Sequence, residues 1–203
     1  MKTFLLLLVT ALALAATAPA ADKCAMSCCA RPAPPALATY TDKSLFQLDS
    51  VWTTDATNQV RLDQLRGRPQ VVAMFFASCQ FTCPLTINDL KGIEAALPAN
   101  VRTNVGFTLV SFDSDRDTPK VLRGVRQDRG LGGNWTLLRG GADDVRELAA
   151  LLGVNFRKDA NGQFAHSNLI TVLNAEGEII FQQPGLNLPP DAIVAKLTAL
   201  FPK

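Results

Sequence analysis

Residues 71–84 carry the stretch Val-Val-Ala-Met-Phe-Phe-Ala-Ser-Cys-Gln-Phe-Thr-Cys-Pro, in which an unbroken apolar run leads to Cys79 and Cys83. The apolar run, residues 71–77, predicts a strand buried on both faces, as in the centre of a parallel sheet. Pro84 favours the start of a helix, because the first helical residues need no N–H partner. We therefore expect the two thiols on the strand-to-helix connection and the first helical turn. Open α/β sheets place their chemistry at this carboxyl edge.

Outward from this stretch, strands and helices are predicted to alternate. Two short alternating segments, residues 45–48 and 59–62, predict an amino-terminal hairpin. After the cysteines, one apolar stripe predicts a helix that buries Leu85, Ile87, Leu90, Ile93, Ala96 and Leu97. Further strands are predicted at residues 105–112 and 135–138, with helices at 118–129 and 143–152. Thr118 is the expected N-cap of the first of these two helices, and Pro119 its first residue.

The carboxyl-terminal part adds a tight turn at Asn161-Gly162, a hairpin over residues 169–181 and a helix over residues 190–201. This order predicts an α/β protein with a thioredoxin-like fold. A central mixed sheet is flanked by helices, and the amino-terminal β-hairpin is an addition to it. The 203 residues suffice for one well-packed domain, predicted at residues 41–203. A net charge of +2 is too small, and the Lys and Arg residues are too scattered along the chain, to suggest a nucleic-acid partner, and we expect none.

Residues 1–20 combine Lys2, an apolar run and Ala18-Pro19-Ala20, which is typical of a secretory signal peptide. An uncleaved membrane anchor is the alternative, although Thr17 and Pro19 weaken it. Residues 21–40 follow as a flexible tail rich in Cys, Ala and Pro. We therefore expect an exported protein, in the bacterial periplasm and soluble after signal cleavage. Thiols outside the cytosol are oxidised unless they bind metal or a partner keeps them reduced.

Cys79 and Cys83 are four residues apart, so on a helical turn their side chains would point the same way. Two convergent thiols permit a reversible disulfide or a soft-metal site. A helix amino terminus lowers the pKa of a thiol, which favours both. The simplest alternative is a structural disulfide or a pair of buried thiols. A structural pair is not expected at the carboxyl edge of a sheet.

His166, the only histidine, precedes the apolar strand at residues 169–173, so we expect it in a loop at the strand entrance. A lone histidine is more often a surface or core residue than a ligand. Two thiolates and one imidazole nevertheless form a ligand set that suits copper. Zinc usually takes four protein ligands, or three and a water, and no fourth is evident in the sequence.

Three motifs occur here in the order and spacing of a known family. They are Cys-x-x-x-Cys-Pro at residues 79–84, Ser-Phe-Asp-Ser-Asp-Arg-Asp-Thr-Pro at 111–119, and His166-Ser167 followed by Leu-Ile-Thr-Val-Leu-Asn-Ala-Glu-Gly at 169–177. Over residues 45–203 the chain resembles the Sco/SenC family of thioredoxin-like copper chaperones for cytochrome c oxidase assembly.

The resemblance implies that Cys79, Cys83 and His166 bind one copper ion, as Cu(I) or Cu(II). It also implies that this copper is delivered to, or prepares, the CuA centre of cytochrome c oxidase. The expected partner is then oxidase subunit II or another exported cuproprotein, together with a thioredoxin-like reductant or another copper chaperone. Asp113 matches an acidic residue of the family, which implies a role behind the ligands or in docking; the alternative is an acid of the helix-entry loop.

Some members of the family act as thiol-disulfide oxidoreductases, so the alternative function is redox catalysis by Cys79 and Cys83 on an exported partner. The chain departs from the family at Gln80-Phe81, where Pro-Asp is frequent, and at Ala165, where Asp is frequent. Both departures leave the three implied ligands in place. They bear on redox tuning and on the choice of partner.

The tail contains Cys24, Cys28 and Cys29, with Met26 among them, outside the pattern of the family. Thiolates and a thioether could hold or relay copper as an accessory site. The alternative that we favour is a disulfide within the tail or a bridge to another chain, since the five cysteines are odd in number.

Overall fold

A computed structural model of the protein describes residues 40–202. The predicted signal peptide, nearly all of the tail, and Cys24, Cys28 and Cys29 lie outside the described residues. Within residues 40–202, no helix is long and apolar enough to cross a membrane.

Residues 40–202 contain nine strands and five α-helices. The strands are β1 (Val51–Thr54), β2 (Gln59–Arg61), β3 (Gln70–Phe75), β4 (Gly106–Ser111), β5 (Trp135–Arg139), β6 (Phe156–Lys158), β7 (Phe164–His166), β8 (Leu169–Leu173) and β9 (Ile179–Pro184). The helices are α1 (Thr82–Ala96), α2 (Ala99–Arg102), α3 (Pro119–Arg129), α4 (Ala142–Leu152) and α5 (Asp191–Ala199).

Seven strands form one mixed sheet in the order β2-β1-β5-β4-β3-β8-β9. β3, β4 and β5 are parallel, whereas β1 and β8 pair antiparallel with their neighbours in this central group. Every residue of β3 and β4 is buried, which explains the unbroken apolar run of β3 after Gln70. Helix α1 packs on β3 and on α5, and α3 packs on β1 and β5. The predicted α/β architecture, a mixed sheet flanked by helices, is confirmed.

The predicted start and end of α3 and the predicted C-terminal hairpin are confirmed as well. The Thr118 hydroxyl accepts a hydrogen bond from the Val121 N–H and caps α3, which begins at Pro119. Gly130 ends α3 with a φ of +61°, a left-handed conformation that glycine adopts without strain. The C-terminal hairpin consists of β8 and β9, joined across Asn174–Gly177 as predicted.

Two details of the predicted elements are wrong. The amino-terminal hairpin consists of β1 and β2, because Leu45–Gln47 form a 3-10 turn instead of its first strand. Leu45 and Phe46 are consecutive and both buried, which a helical turn allows and a strand with one buried face does not. In α1, Ala96 is exposed and Thr86 is buried in its stead.

Candidate metal centre

The candidate site lies where β3 ends and the chain turns into α1. The Cys79 N–H donates to the Phe76 carbonyl over 3.2 Å and closes a tight turn after the strand. Helix α1 begins at Thr82, so Cys83 lies in its first turn and Cys79 on the connection before it. This is the placement that the sequence predicts, at the carboxyl edge of the central parallel strands.

The three residues implied as ligands come together at this edge. The Sγ atoms of Cys79 and Cys83 and a ring nitrogen of His166 all lie within 4.8 Å of one another. The Cys83 Sγ atom is 3.8 Å from the His166 Nε2 atom. Both thiols are free. Cys83 and His166, which are 83 positions apart in sequence, thus lie next to each other in the fold.

His166 is the last residue of β7, and not part of a loop as predicted. β7 pairs only with β6, and Phe156 lies directly opposite His166. The ring of Phe112 lies 5.0 Å from the imidazole, centroid to centroid, and that of Phe76 lies 6.0 Å away, edge-on. The Nδ1 atom is 3.0 Å from the Ser167 carbonyl oxygen. These contacts direct Nε2 towards the thiols.

The environments of the two thiols push their pKa values in opposite directions. Burial raises the pKa of Cys79, but hydrogen bonds to its sulfur, above all from the N–H groups of Cys83 and Phe81, stabilise its thiolate, and the net pKa is lowered. For Cys83 burial dominates and raises the pKa strongly, despite one hydrogen bond from the Phe76 N–H. Cys79 and nearby Asp117 raise it further, because like charges disfavour a second anion.

The donor set fits a soft metal ion. Metal–ligand bonds of about 2.0–2.3 Å place the ligands of a trigonal ion roughly 3.5–4.0 Å apart. The 3.8 Å between the Cys83 Sγ and His166 Nε2 atoms falls in that range, and the bound of 4.8 Å on all three pairs is wider by less than 1 Å. Two sulfurs and an imidazole nitrogen, without a carboxylate in the cluster of described residues, suit copper better than a hard cation.

Asp113 is not one of the three clustered residues. Its side chain is fully buried and forms an ion pair with Arg116. The Arg116 guanidinium also donates to the Gly162 carbonyl oxygen, in the turn between β6 and β7. Asp113 therefore braces the hairpin that carries His166, a placement that favours a role behind the ligands over direct docking.

Sequence reasoning missed two residues that contact the site. The Thr82 hydroxyl lies 3.1 Å from the His166 Nε2 atom and 3.6 Å from the Cys79 Sγ atom. The Asp117 Oδ2 atom accepts from the Ala77 N–H over 2.8 Å and from the Ser111 hydroxyl over 2.5 Å, which fixes the turn before Cys79. For Thr82, the available signal in the sequence was its position between the two cysteines. For Asp117 the available signal was its place in the motif at residues 111–119, although its partner Ala77 is 40 residues away.

Comparison with known proteins agrees with this geometry. The SCO1/SenC family profile matches residues 39–201, most of the chain. The chain belongs to the SCO1/SenC family. A protein of Stutzerimonas stutzeri, provisionally described as copper-binding, is 25% identical over 142 residues, which cover 68% of each chain.

Solved structures of Sco proteins share the fold. ScoI of Bradyrhizobium japonicum with copper bound superposes with a TM-score of 0.63 at 19% identity, covering 75% of this chain and 97% of that one. BsSco, a member of the Sco family of cytochrome c oxidase assembly proteins in which a disulfide switch was identified, gives a TM-score of 0.64 at 20% identity, covering 74% and 90%. At this identity the likeness establishes the fold.

Proposed function

We propose that this protein is an exported copper metallochaperone. It holds one copper ion on Cys79, Cys83 and His166 and delivers it to, or prepares, the CuA centre of cytochrome c oxidase. The observation that carries the proposal is the convergence of two free thiols and one imidazole within 4.8 Å. Family membership, the copper bound by a Sco structure and the assembly role stated for BsSco support it.

The surroundings of the site suit the transfer of an ion to another protein. Cys83 is only 2% exposed and holds its position, whereas Cys79 is half-buried and open to an incoming ligand. Phe81, between the two cysteines, is 80% exposed, so an apolar side chain stands at the rim of the site. Oxidase subunit II or another exported cuproprotein is the proposed recipient. A thioredoxin-like reductant keeps the two thiols reduced, or another copper chaperone supplies them with copper.

A second function, thiol-disulfide exchange on an exported partner, rests on the asymmetry of the thiols. The accessible Cys79 has a lowered pKa, as an attacking thiolate does, and the buried Cys83 has a raised one. Cys79 would attack the partner's disulfide and Cys83 would resolve the mixed disulfide. His166 has no role in that exchange.

An anaerobic titration of the reduced protein with Cu(I) separates the two functions. We expect one tightly bound copper, and weaker binding in the His166→Ala and Cys79→Ser variants, because each loses one of three ligands. Transfer to the metal-free soluble domain of subunit II then tests delivery. Unchanged copper affinity in His166→Ala, together with efficient reduction of a disulfide substrate, would contradict the chaperone function and support the oxidoreductase.

A further inference from the structure

Thr82 provides the one hydroxyl group that contacts two of the proposed copper ligands within the described residues. It is the first residue of α1, and its backbone carbonyl oxygen accepts from the Thr86 hydroxyl over 3.2 Å. Its own hydroxyl lies 3.1 Å from the His166 Nε2 atom and 3.6 Å from the Cys79 Sγ atom. A hydroxyl has a single proton to donate. The question is which neighbour receives it.

In the metal-free site the proton goes to His166. The Nδ1 atom faces the Ser167 carbonyl oxygen, which can only accept, so Nδ1 carries the ring proton. Nε2 of the neutral ring is then an acceptor, and the Thr82 hydroxyl at 3.1 Å is its donor. The Cys83 thiol, at 3.8 Å, is a longer and weaker donor to the same atom. In the contact between Thr82 and Cys79, the S–H group of Cys79 is then the donor, and a lone pair of the hydroxyl oxygen accepts.

Copper removes this acceptor. A metal ion on Nε2 takes the lone pair to which Thr82 donates, and a hydroxyl proton cannot point at a metal-bound nitrogen. The Cys79 sulfur, a thiolate when it binds copper, is then the acceptor within reach of the same hydroxyl. The proton stays on the oxygen throughout, and only the direction of the O–H bond changes.

We propose that Thr82 is a positioning residue whose hydroxyl donates to His166 in the metal-free site and to the Cys79 thiolate once copper is bound. The inference rests on the proposed copper function and deepens it. In the metal-free state Thr82 holds the imidazole ready for the ion. In the loaded state it withdraws electron density from the Cys79 sulfur, which weakens the bond to Cu(II) more than the bond to Cu(I).

The inference predicts a specific change in the Thr82→Val variant, which keeps the shape of the side chain and loses the hydroxyl. Its more electron-rich sulfur favours Cu(II), so the ratio of Cu(II) to Cu(I) affinity rises by about tenfold. For a one-electron couple this lowers the reduction potential by about 59 mV. The sulfur-to-copper charge-transfer band moves to longer wavelength. The ratio does not depend on the metal-free state, since that state is common to both affinities.

The experiment uses the full chain with three variants. Thr82→Ser retains the hydroxyl and restores the wild-type ratio and spectrum. Thr86→Val makes the same change one turn further along α1, where the hydroxyl meets only the Thr82 carbonyl oxygen in the described contacts, and leaves both unchanged. In the metal-free proteins, nitrogen NMR of the sole histidine shows Nε2 shifted in Thr82→Val and not in Thr82→Ser.

An unshifted Nε2 resonance, or an unchanged affinity ratio, in Thr82→Val overturns the role of Thr82 while wild-type copper binding stands. A wild-type protein that binds no copper overturns the proposed function, and the switch of Thr82 with it. Thermal unfolding of each variant identifies a loss of fold, and the Thr82→Ser rescue then carries the test.

Discussion

Cys79 and Cys83 belong to one site and differ in every property that controls the reactivity of a thiol. Cys83 is 2% exposed, and burial raises its pKa strongly. Cys79 is half-buried, and hydrogen bonds to its sulfur lower its pKa in spite of its own burial. The thiolate is the reactive form, and it must also be reached by the reagent. The two thiols should therefore react one after the other.

At pH 7 we expect iodoacetamide to alkylate Cys79 at least about tenfold faster than Cys83 in the reduced, metal-free protein. Mass spectrometry of quenched samples gives the order of modification. Unfolding in urea removes both the burial and the hydrogen bonds, so the two cysteines then react at similar rates. Faster labelling of Cys83 in the folded protein would show that the helix turn does not protect it.

Asp117 gives a second prediction at this scale, because burial raises the pKa of its carboxyl despite hydrogen bonds from Ser111 and Ala77. A raised folded pKa makes a contribution to stability that is full below the unfolded pKa of about 3.9 and is lost as pH rises through the folded pKa. Asp117→Asn retains an acceptor and carries no charge. Its stability relative to the wild type should therefore increase as pH rises above about 4 and then level off.

Urea unfolding across pH 4–8 measures this difference. Asp117→Ala leaves the Ala77 N–H and the Ser111 hydroxyl without their acceptor, and should be about 2 kcal/mol less stable than Asp117→Asn at every pH. A stability difference between Asp117→Asn and the wild type that does not vary with pH would mean that the carboxyl titrates as it does in the unfolded chain.

The sequence predicts the three proposed ligands because cysteines beside an apolar strand and a lone histidine are rare, recognisable residue types. It does not predict Thr82 or Asp117 as partners of the site. Threonine and aspartate are common in helix-entry segments, where local hydrogen bonds suffice to explain them. Their contacts with His166 and Ala77 arise from tertiary folding, which brings together residues 84 and 40 positions apart.

At the scale of elements, the site combines residues that follow the seven-stranded sheet with a residue of the separate two-stranded sheet. The cysteines follow β3 in the centre of the main sheet, whereas His166 ends the two-stranded sheet of β6 and β7. Aromatic packing links the two parts: the ring of Phe164 lies 5.2 Å from Phe76 and 5.0 Å from Phe112, between centroids. The position of the imidazole therefore depends on this packing.

Phe164→Ala should weaken copper binding by about tenfold, because ordering the hairpin then opposes binding of the ion. Phe181→Ala is the matched control: a half-buried phenylalanine on β9, opposite Val172 and away from the site. We expect both variants to lose about 1–3 kcal/mol of stability and only Phe164→Ala to lose copper affinity. Competition titration against a Cu(I) chelator measures the affinities, and equal losses in both variants would contradict a special role of the hairpin.

Element prediction from the sequence fails where one pattern fits two structures. The continuous apolar run of β3 and the mostly apolar sequence of β4 predict strands, because helical patterns follow both. Residues 45–48 alternate too briefly to separate a strand from a 3-10 turn, and burial of both Leu45 and Phe46 decides for the turn. The short strand that contains His166 is set by pairing with Phe156 and neighbouring residues, ten positions upstream, and not by its own three residues.

At the scale of the molecule, the site and the start of the described chain lie at opposite edges of the sheet. Tyr40 hydrogen-bonds Asp63 and packs under the Arg66 guanidinium, next to Gly67, which pairs with Ala175 before β3 begins. The thiols follow the other end of β3. Six strand residues separate the two edges by about 20 Å. The thiols thus lie about one strand length from Tyr40, the first described residue.

We therefore predict that the full chain with Cys24, Cys28 and Cys29 all replaced by serine binds one copper ion with wild-type affinity. The length of the tail makes the opposite result physically attainable. Cys29 precedes Tyr40 by eleven residues, and an extended chain of that length spans about 36 Å, enough to reach the site. Anaerobic titration with Cu(I) compares the triple variant with the wild type and with Cys79→Ser. A loss of affinity beyond about tenfold in the triple variant would mean that tail thiols complete the site, since the cluster of Cys79, Cys83 and His166 would then be insufficient by itself.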